Sequence, residues 1–178
     1  SFLATPNSTA MNSDTSTNID FEARRRTDQT SAVDTVHLDW TASETCVVVC
    51  DMWDDHWCKG ASKRVAEMAP RANDFINAAR ERGILIIHAP SATMDFYKDT
   101  PQRQMATQAP EVKTNIPLQN WCHLDPQREP KLPIDDSDDG CDCQPQCKTR
   151  SAWSRQIETI DIGNGDAITD SSEAFYLM

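Results

Sequence analysis

Two short apolar runs decide the fold of this chain, Cys46-Val47-Val48-Val49-Cys50 and Ile84-Leu85-Ile86-Ile87-His88. The segment between them is amphipathic with helical spacing. Its apolar positions are Val65, Met68, Ala72, Phe75, Ile76 and Ala79. We expect Pro70 to restart this helix after a short lead-in turn, and Gly83 to end it. Strand, helix and strand at this spacing predict a right-handed βαβ unit, and therefore an α/β fold with a parallel sheet.

The first run is apolar at every position, so both of its faces are predicted to be covered by helices. This property is typical of a central strand in a parallel sheet. We therefore expect residues 46–50 to lie in the middle of the sheet, with residues 84–88 beside them.

Length and charge limit the possible functions. The chain has 178 residues and a formal net charge of −11, enough for one domain with a substantial core. An acidic protein is repelled by nucleic acids and by anionic membrane surfaces, so neither is an expected partner. No apolar run approaches the roughly 20 residues of a membrane span. A soluble protein acting on a small molecule is the favoured class.

Cysteine usage bears on the compartment. Seven cysteines are present, and two of them, Cys46 and Cys50, lie inside the first apolar run and are predicted to be core thiols. An odd count argues against a complete disulfide framework and favours a reducing compartment such as the cytoplasm. Because the chain starts at Ser1, we expect the true N-terminus to lie upstream.

Composition divides the chain into three parts. Residues 1–18 are mostly Ser, Thr and Asn and are predicted to be a disordered arm. Residues 19–42 are predicted to be an extended hairpin, with its turn within Thr27–Ser31. Residues 43–178 form the α/β domain, in which residues 100–108 are a short helix and the proline-rich stretch 110–150 is an irregular insertion.

The last part of the chain supplies the remaining sheet. Residues 157–162 and 166–169 are predicted to be strands, and Asp170-Ser171-Ser172-Glu173 is a capping box that opens a helix at Ser171. Three or four strands are fewer than a typical sheet contains. We therefore expect the domain to be incomplete at its C-terminus, with strands from a partner as the alternative.

Asp51 is the first candidate for chemistry. In an open parallel sheet, ligands bind beyond the carboxyl ends of the strands, and Asp51 and His88 end the two apolar runs. Trp53 and Trp57 would make the surroundings partly apolar, which would raise the pKa of Asp51 and suit it to general base catalysis. Alternatively, Asp51 only caps the next turn. His88 is interpreted as a hydrogen-bonded strand-end residue, with substrate contact as the alternative.

The segment from Cys46 to Asp54 resembles the first strand of the isochorismatase-like hydrolases, in which an apolar strand ends in Asp-Met and a polar pair. Residues 79–88, a helix end followed by a strand, are similar to the next elements of that family. The resemblance implies a Rossmann-like three-layer α/β/α sandwich with a mostly parallel sheet, a hydrolase that needs no cofactor, and a possible homo-oligomer. It also implies a small amide, ester or enol-ether substrate with Asp51 as general acid or base. The candidate pocket residues are Trp53, Asp54, His56, Trp57, His88 and Asp170.

Two departures from the family pattern keep a second interpretation open. Many members use an Asp, a Lys and a nucleophilic Cys, but here Asp170 stands where the Lys is expected. The Cys would fall beyond residue 178, and Lys59 or Lys63 could replace the lost ammonium. If Asp170 faces Asp51, the two carboxylates share a proton or hold a cation. The alternative function is therefore a catalytically degenerate relative that binds a small ligand or a metal.

The metal motifs in the sequence are weak, and a resident metal is not the favoured prediction. The Asp-x-His metal motif that nicotinamidases carry after the second strand is missing. Cys141, Cys143 and Cys147 could supply three thiolates, with Cys122 or His123 as a fourth ligand, but the spacing is not a standard zinc pattern. Residues 135–140 resemble half of a calcium loop and are interpreted as a solvated acidic loop. His56 and Cys58 are interpreted first as pocket lining and second as a nucleophile pair.

Overall fold

A computed structural model describes residues 18–26, 33–119, 125, 127 and 140–178. The predicted arm up to residue 17, the hairpin turn, Cys122, His123 and most of the predicted acidic loop lie outside these residues. The elements in chain order are β1 (Asn18–Arg26), β2 (Val33–Thr41), a 3-10 turn (Ala42–Glu44), β3 (Cys46–Cys50), α1 (Lys59–Glu81), β4 (Leu85–Ala89), α2 (Met94–Tyr97), α3 (Pro101–Thr107), β5 (Ala167–Ile168) and α4 (Glu173–Leu177).

The three strands β3, β4 and β5 form a parallel sheet in that order. This confirms the predicted α/β class and the βαβ unit. The predicted centre of the sheet is wrong for the described strands, because β4 has a neighbour on each side and β3 has one. Accordingly Ile86, Ile87 and His88 of β4 are buried, whereas Val48 of β3 is 41% exposed.

Alternate residues of β4 enter two separate cores. Ile86 packs with Ile76 and Ala79 of α1 on one face of the sheet. Ile87 packs on the other face with Ala106 of α3 and with Ala167. Since burying an aliphatic side chain of this size contributes about 1.5–3 kcal/mol, β4 is a main source of the sheet's stability.

Helix α1 is continuous, so the prediction that Pro70 restarts it is wrong. Pro70 lies inside the helix and costs it one backbone hydrogen bond. Buried contacts on either side, at Ala69 and Ile76, hold the two halves in line. The predicted stop is confirmed, because Gly83 has a φ of 79° and the N–H groups of Gly83 and Ile84 donate to Arg80 O and Ala79 O. This pattern is a Schellman cap, which needs a left-handed residue.

The N-terminal segments pair as predicted. Strands β1 and β2 are antiparallel, with Phe21 opposite Leu38. A groove of about 620 Å³ lies where this hairpin meets α1 and the amino end of β3, and its lining includes Ile19, Phe75 and Ile84. The groove is therefore at the opposite end of the sheet from Asp51.

The C-terminal predictions have mixed outcomes. The short helix at 100–108 is confirmed by α3, and the strand at 166–169 is confirmed by β5. The predicted strand at 157–162 is wrong, because the Ile157 N–H donates to Met52 O and the Asp161 N–H donates to the Asn73 side chain. The helix predicted to open at Ser171 begins at Glu173 without a side-chain cap. No helix of the described residues is long and apolar enough to cross a membrane.

A buried polar network joins α1, β4 and the loop before β5. The Asp166 carboxylate accepts from Arg80 Nε at 2.9 Å, from Arg80 Nη2 at 2.6 Å and from the Gly163 N–H at 2.6 Å. His88 Nε2 lies 3.0 Å from the same carboxylate, and His88 Nδ1 lies 2.9 Å from Gln156 Oε1. Burial opposes ionisation of Asp166, but these hydrogen bonds prevail and hold its pKa well below the ordinary value.

Candidate functional site

The carboxyl edge of the sheet brings Asp51 and Asp170 to one loop. Asp51 follows β3, and its Oδ1 accepts from the Ser91 N–H at 3.0 Å. Asp170 follows β5, and its Oδ2 accepts from the Ala92 N–H at 3.0 Å. Since consecutive backbone nitrogens are at most about 3.6 Å apart, the two bonded oxygens are at most about 10 Å apart. Both carboxylates therefore bind the loop after β4, and their sharing of a proton or a cation stays a prediction.

Backbone strain lies at the same edge of the sheet, after β3 and in the loop after β4. Asp51 has a φ of 50° and Ala92 a φ of 59°, and among the described residues they are the two non-glycine residues with a positive φ. Aspartate tolerates this region, whereas an alanine there costs about 1–2 kcal/mol. Strained residues of this kind concentrate at binding and catalytic sites. Both outliers coincide here with the two exposed carboxylates.

The expected enclosure of Asp51 is wrong for the described part of the chain. Its side chain is exposed, so the partly apolar surroundings expected for it do not enclose it there. Trp57 is 8% exposed and packs with cysteines instead. Trp53 does approach the loop, because its Nε1–H donates to Ser91 O at 3.1 Å.

An aromatic stack lines the side of the site next to Ser91. The rings of Trp53 and Trp153 are nearly parallel with centroids 4.2 Å apart, and His56 stacks on Trp153 at 5.5 Å. The sequence predictions included Trp53 and His56 but missed Trp153. Its signal was weak, since a tryptophan about 100 residues away in a loop has no periodic pattern to place it.

Asp54 and Asp55 are anchored to other parts of the chain. Asp54 accepts from the Ser154 N–H and Oγ–H at 2.9 and 2.6 Å, and burial is outweighed by these bonds, so its pKa is lowered. The Lys59 ammonium and the His56 N–H lower the pKa of Asp55 to about 2. Both carboxylates thus stabilise the loop after β3. The contacts of Asp54 with Ser154 do not favour its binding a substrate directly.

His88 supports the strand end. Its side chain is fully buried and both ring nitrogens have partners. The interpretation as a hydrogen-bonded strand-end residue is confirmed, and the alternative of substrate contact is not supported by this position.

The lysines named as replacements for the family Lys lie elsewhere. Lys59 Nζ is 2.9 Å from Asp55 Oδ1, and Lys63 pairs with Glu67 on the surface of α1. Among the described contacts of these two lysines, none is with Asp170. The turn that carries Asp170 is instead fixed by Glu173, which binds Arg103 and accepts from Thr169 and Ser171.

Four cysteines meet at the start of α1. The Sγ atoms of Cys58, Cys141 and Cys143 lie within 4.8 Å of one another, with 3.8 Å between Cys58 and Cys143. Cys147 lies beside them, because it packs against the cluster of Trp57, Cys58 and Cys141 and its Sγ accepts from the Lys59 N–H. The interpretation of Cys58 as pocket lining or as half of a nucleophile pair is therefore replaced by membership of a four-sulfur cluster.

Backbone N–H groups surround this cluster. Those of Lys59 and Gly60, the first two residues of α1, donate to Cys147 Sγ at 3.5 Å and to Cys143 Sγ at 3.2 Å. The N–H groups of Cys147 and Cys143 lower the pKa of Cys141 to about 7. The Gly60 N–H lowers the pKa of Cys143, but the neighbouring thiols prevail and raise it to about 11. Such donors stabilise thiolates, and thiolates bind soft metal ions.

Comparisons with models of protein families, with curated proteins and with solved structures gave no match to this chain. The resemblance drawn from residues 46–54 and 79–88 therefore remains a prediction.

Proposed function

We propose that this chain is a hydrolase of the isochorismatase-like class that acts on a small amide, ester or enol ether, with Asp51 as its general acid or base. The observation that carries the proposal is the loop after β4, where Asp51 and Asp170 bind consecutive N–H groups at the carboxyl edge of a parallel sheet. Ligands of open parallel sheets bind at that edge. Cores on both faces of β4 suit the three-layer sandwich that this class requires.

The arrangement suits proton transfer. Asp51 is exposed and held by a single described side-chain bond, from the Ser91 N–H, which leaves its second oxygen free of described partners. That oxygen would take a proton from an attacking water or give one to a leaving group. A positioned carboxylate in this role contributes about 10²–10⁴-fold to a rate. The flat face of the Trp53–Trp153 stack would bind the apolar part of a small substrate.

The test is turnover of a panel of small amides, esters and enol ethers, followed by mass spectrometry of the products. We expect the wild-type chain to hydrolyse at least one class, and Asp51→Asn to lower kcat by about 10²–10⁴-fold. Asp99→Asn makes the same charge change at an exposed residue outside the site and should keep the wild-type rate. Wild-type turnover by Asp51→Asn contradicts the assignment of Asp51.

A second candidate is a binding protein without catalysis. Asp170 favours it, because a carboxylate there cannot supply the positive charge that the resemblance leads us to expect. The same panel distinguishes the two candidates when each compound is also tested by thermal shift. Compounds that raise Tm but are never hydrolysed support the binding protein, and hydrolysis of any compound supports the enzyme.

A further inference from the structure

We propose that Cys58, Cys141, Cys143 and Cys147 form a tetrahedral zinc site that fastens the segment after residue 140 to the start of α1. The sulfur geometry is the first argument. A tetrahedral Zn²⁺ ion with Zn–S bonds of about 2.3 Å places its ligand sulfurs about 3.8 Å apart. The Cys58 and Cys143 sulfurs are separated by 3.8 Å. A disulfide would need about 2.05 Å, and all six described cysteines are free thiols.

The surroundings of the sulfurs are the second argument. Four thiolates around one Zn²⁺ leave two excess negative charges, which need compensation. The N-terminus of the 23-residue helix α1 points N–H groups at Cys143 and Cys147, and its dipole favours negative charge there. Hydrogen bonds of this kind to the ligand atoms orient them and tune their metal affinity.

The chain covers much of the site, which favours a structural role. Cys58 is 1% exposed and Cys141 is 4% exposed, and Cys143 and Cys147 are half-buried. Trp57, Ala61, Ala152 and Trp153 cover the cluster from the apolar side. A four-cysteine zinc site with no open position holds chain segments together, whereas catalytic zinc keeps a position for water. Trp153, which stacks on Trp53, lies in the segment that the metal would hold.

Gly60 is the third argument, because its backbone approaches the cluster closely. A Cβ atom at Gly60 would lie 3.2 Å from Cys143 Sγ and 2.9 Å from Asp142 Oδ1. Glycine in a helix costs about 1 kcal/mol relative to alanine. A close approach of backbone to sulfur explains why a glycine stands in the first turn of α1.

The proposal places the fourth ligand at Cys58 and differs from the expectation that Cys122 or His123 supplies it. Cys58 and Cys141 are 83 residues apart, so a zinc ion that binds both closes a long loop of the chain. Binding of the metal is therefore coupled to folding of that loop. The inference does not depend on the proposed hydrolase activity.

The test uses the reduced full chain, loaded with zinc and passed through a desalting column. Elemental analysis should find about one zinc per chain, and iron in its place overturns the assignment to zinc. Alkylation followed by mass spectrometry should find Cys58, Cys141, Cys143 and Cys147 protected and Cys50 modified. All of them should react after chelation. Absence of retained zinc, or protection of Cys122 with Cys58 reactive, overturns the proposal.

Variants check the site independently. Cys58→Ser should lose zinc, whereas Cys50→Ser, an exposed thiol of β3, should retain it. Gly60→Ala should weaken zinc binding by about 10–100-fold, as changes next to metal ligands do. Gly165→Ala is the matched control, because nothing lies within 4 Å of its added Cβ. Wild-type zinc affinity in Gly60→Ala contradicts the close packing on which the site depends.

Discussion

The network around Asp166 allows the sharpest test of the fold. Asp166→Asn keeps the size of the side chain but removes the negative charge that Arg80 and His88 contact. The wild-type carboxylate is 1% exposed and has four described donor contacts. Removing one partner of a fully buried pair costs about 3–5 kcal/mol, and the 26% exposure of the Arg80 side chain places the expected cost at the lower end of that range.

In a domain of this size, that cost lowers Tm by about 6–20 °C. The assay is urea denaturation at pH 7 followed by tryptophan fluorescence, with a thermal melt as a second measurement. Asp142→Asn is the control, because its pair with Arg64 is exposed at both ends and should cost at most about 1 kcal/mol. A cost below 1 kcal/mol for Asp166→Asn would refute the stabilising role of the network.

The same variant has a signed pH dependence. The folded pKa of Asp166 lies below its unfolded value of about 3.8, so the stability that it contributes is present above that value and is lost as pH falls through the folded pKa. We expect the difference in unfolding free energy between wild type and Asp166→Asn to shrink as pH falls below about 4. A difference that grows there would contradict the assignment.

Three further predictions concern the cap, the stack and the turn that carries Asp170. Gly83→Ala should cost about 1–2 kcal/mol, because alanine must adopt a φ of 79°; equal urea midpoints for variant and wild type would be unexpected. Trp153→Ala should cost at least about 0.5–1.5 kcal/mol and change the fluorescence of Trp53, since their rings are 4.2 Å apart; an unchanged emission spectrum would argue against the stack. Glu173→Gln should cost about 1.5–3 kcal/mol at pH 7, because Arg103 leads the groups that lower the pKa of Glu173. That cost should diminish as pH falls below the unfolded pKa, as urea titrations at several pH values would measure.

Local patterns predicted much of the fold, for a physical reason. The strand at 46–50, the helix, its Gly83 stop and the strand near 84–88 each depend on residues close in sequence. The order of the strands in the sheet does not depend on residues close in sequence, because the packing of distant elements sets it. The sheet therefore has β4 at the centre of its described strands, although the apolar pattern favoured β3.

The two carboxylates of the site were predictable from the sequence, whereas the membership of Cys58 in the cysteine cluster was not. Asp51 and Asp170 each end a strand, so topology alone placed them at one edge. Cys58 was missed because 83 residues separate it from Cys141, and no local spacing links a cysteine before α1 to a cysteine-rich loop. The false strand at 157–162 has a similar cause, since its N–H groups bond to Met52 and Asn73 instead of to a strand.

The most direct test of the proposed activity is the kcat/KM ratio of Asp51→Asn to wild type on the best substrate of the panel. Zinc content and Tm should first be shown to be equal in the two proteins. We predict a fall of about 10²–10⁴-fold, because Asp51 is the carboxylate that ends β3 at the open edge of the sheet. A ratio within twofold of unity would show that this carboxylate takes no part in the reaction.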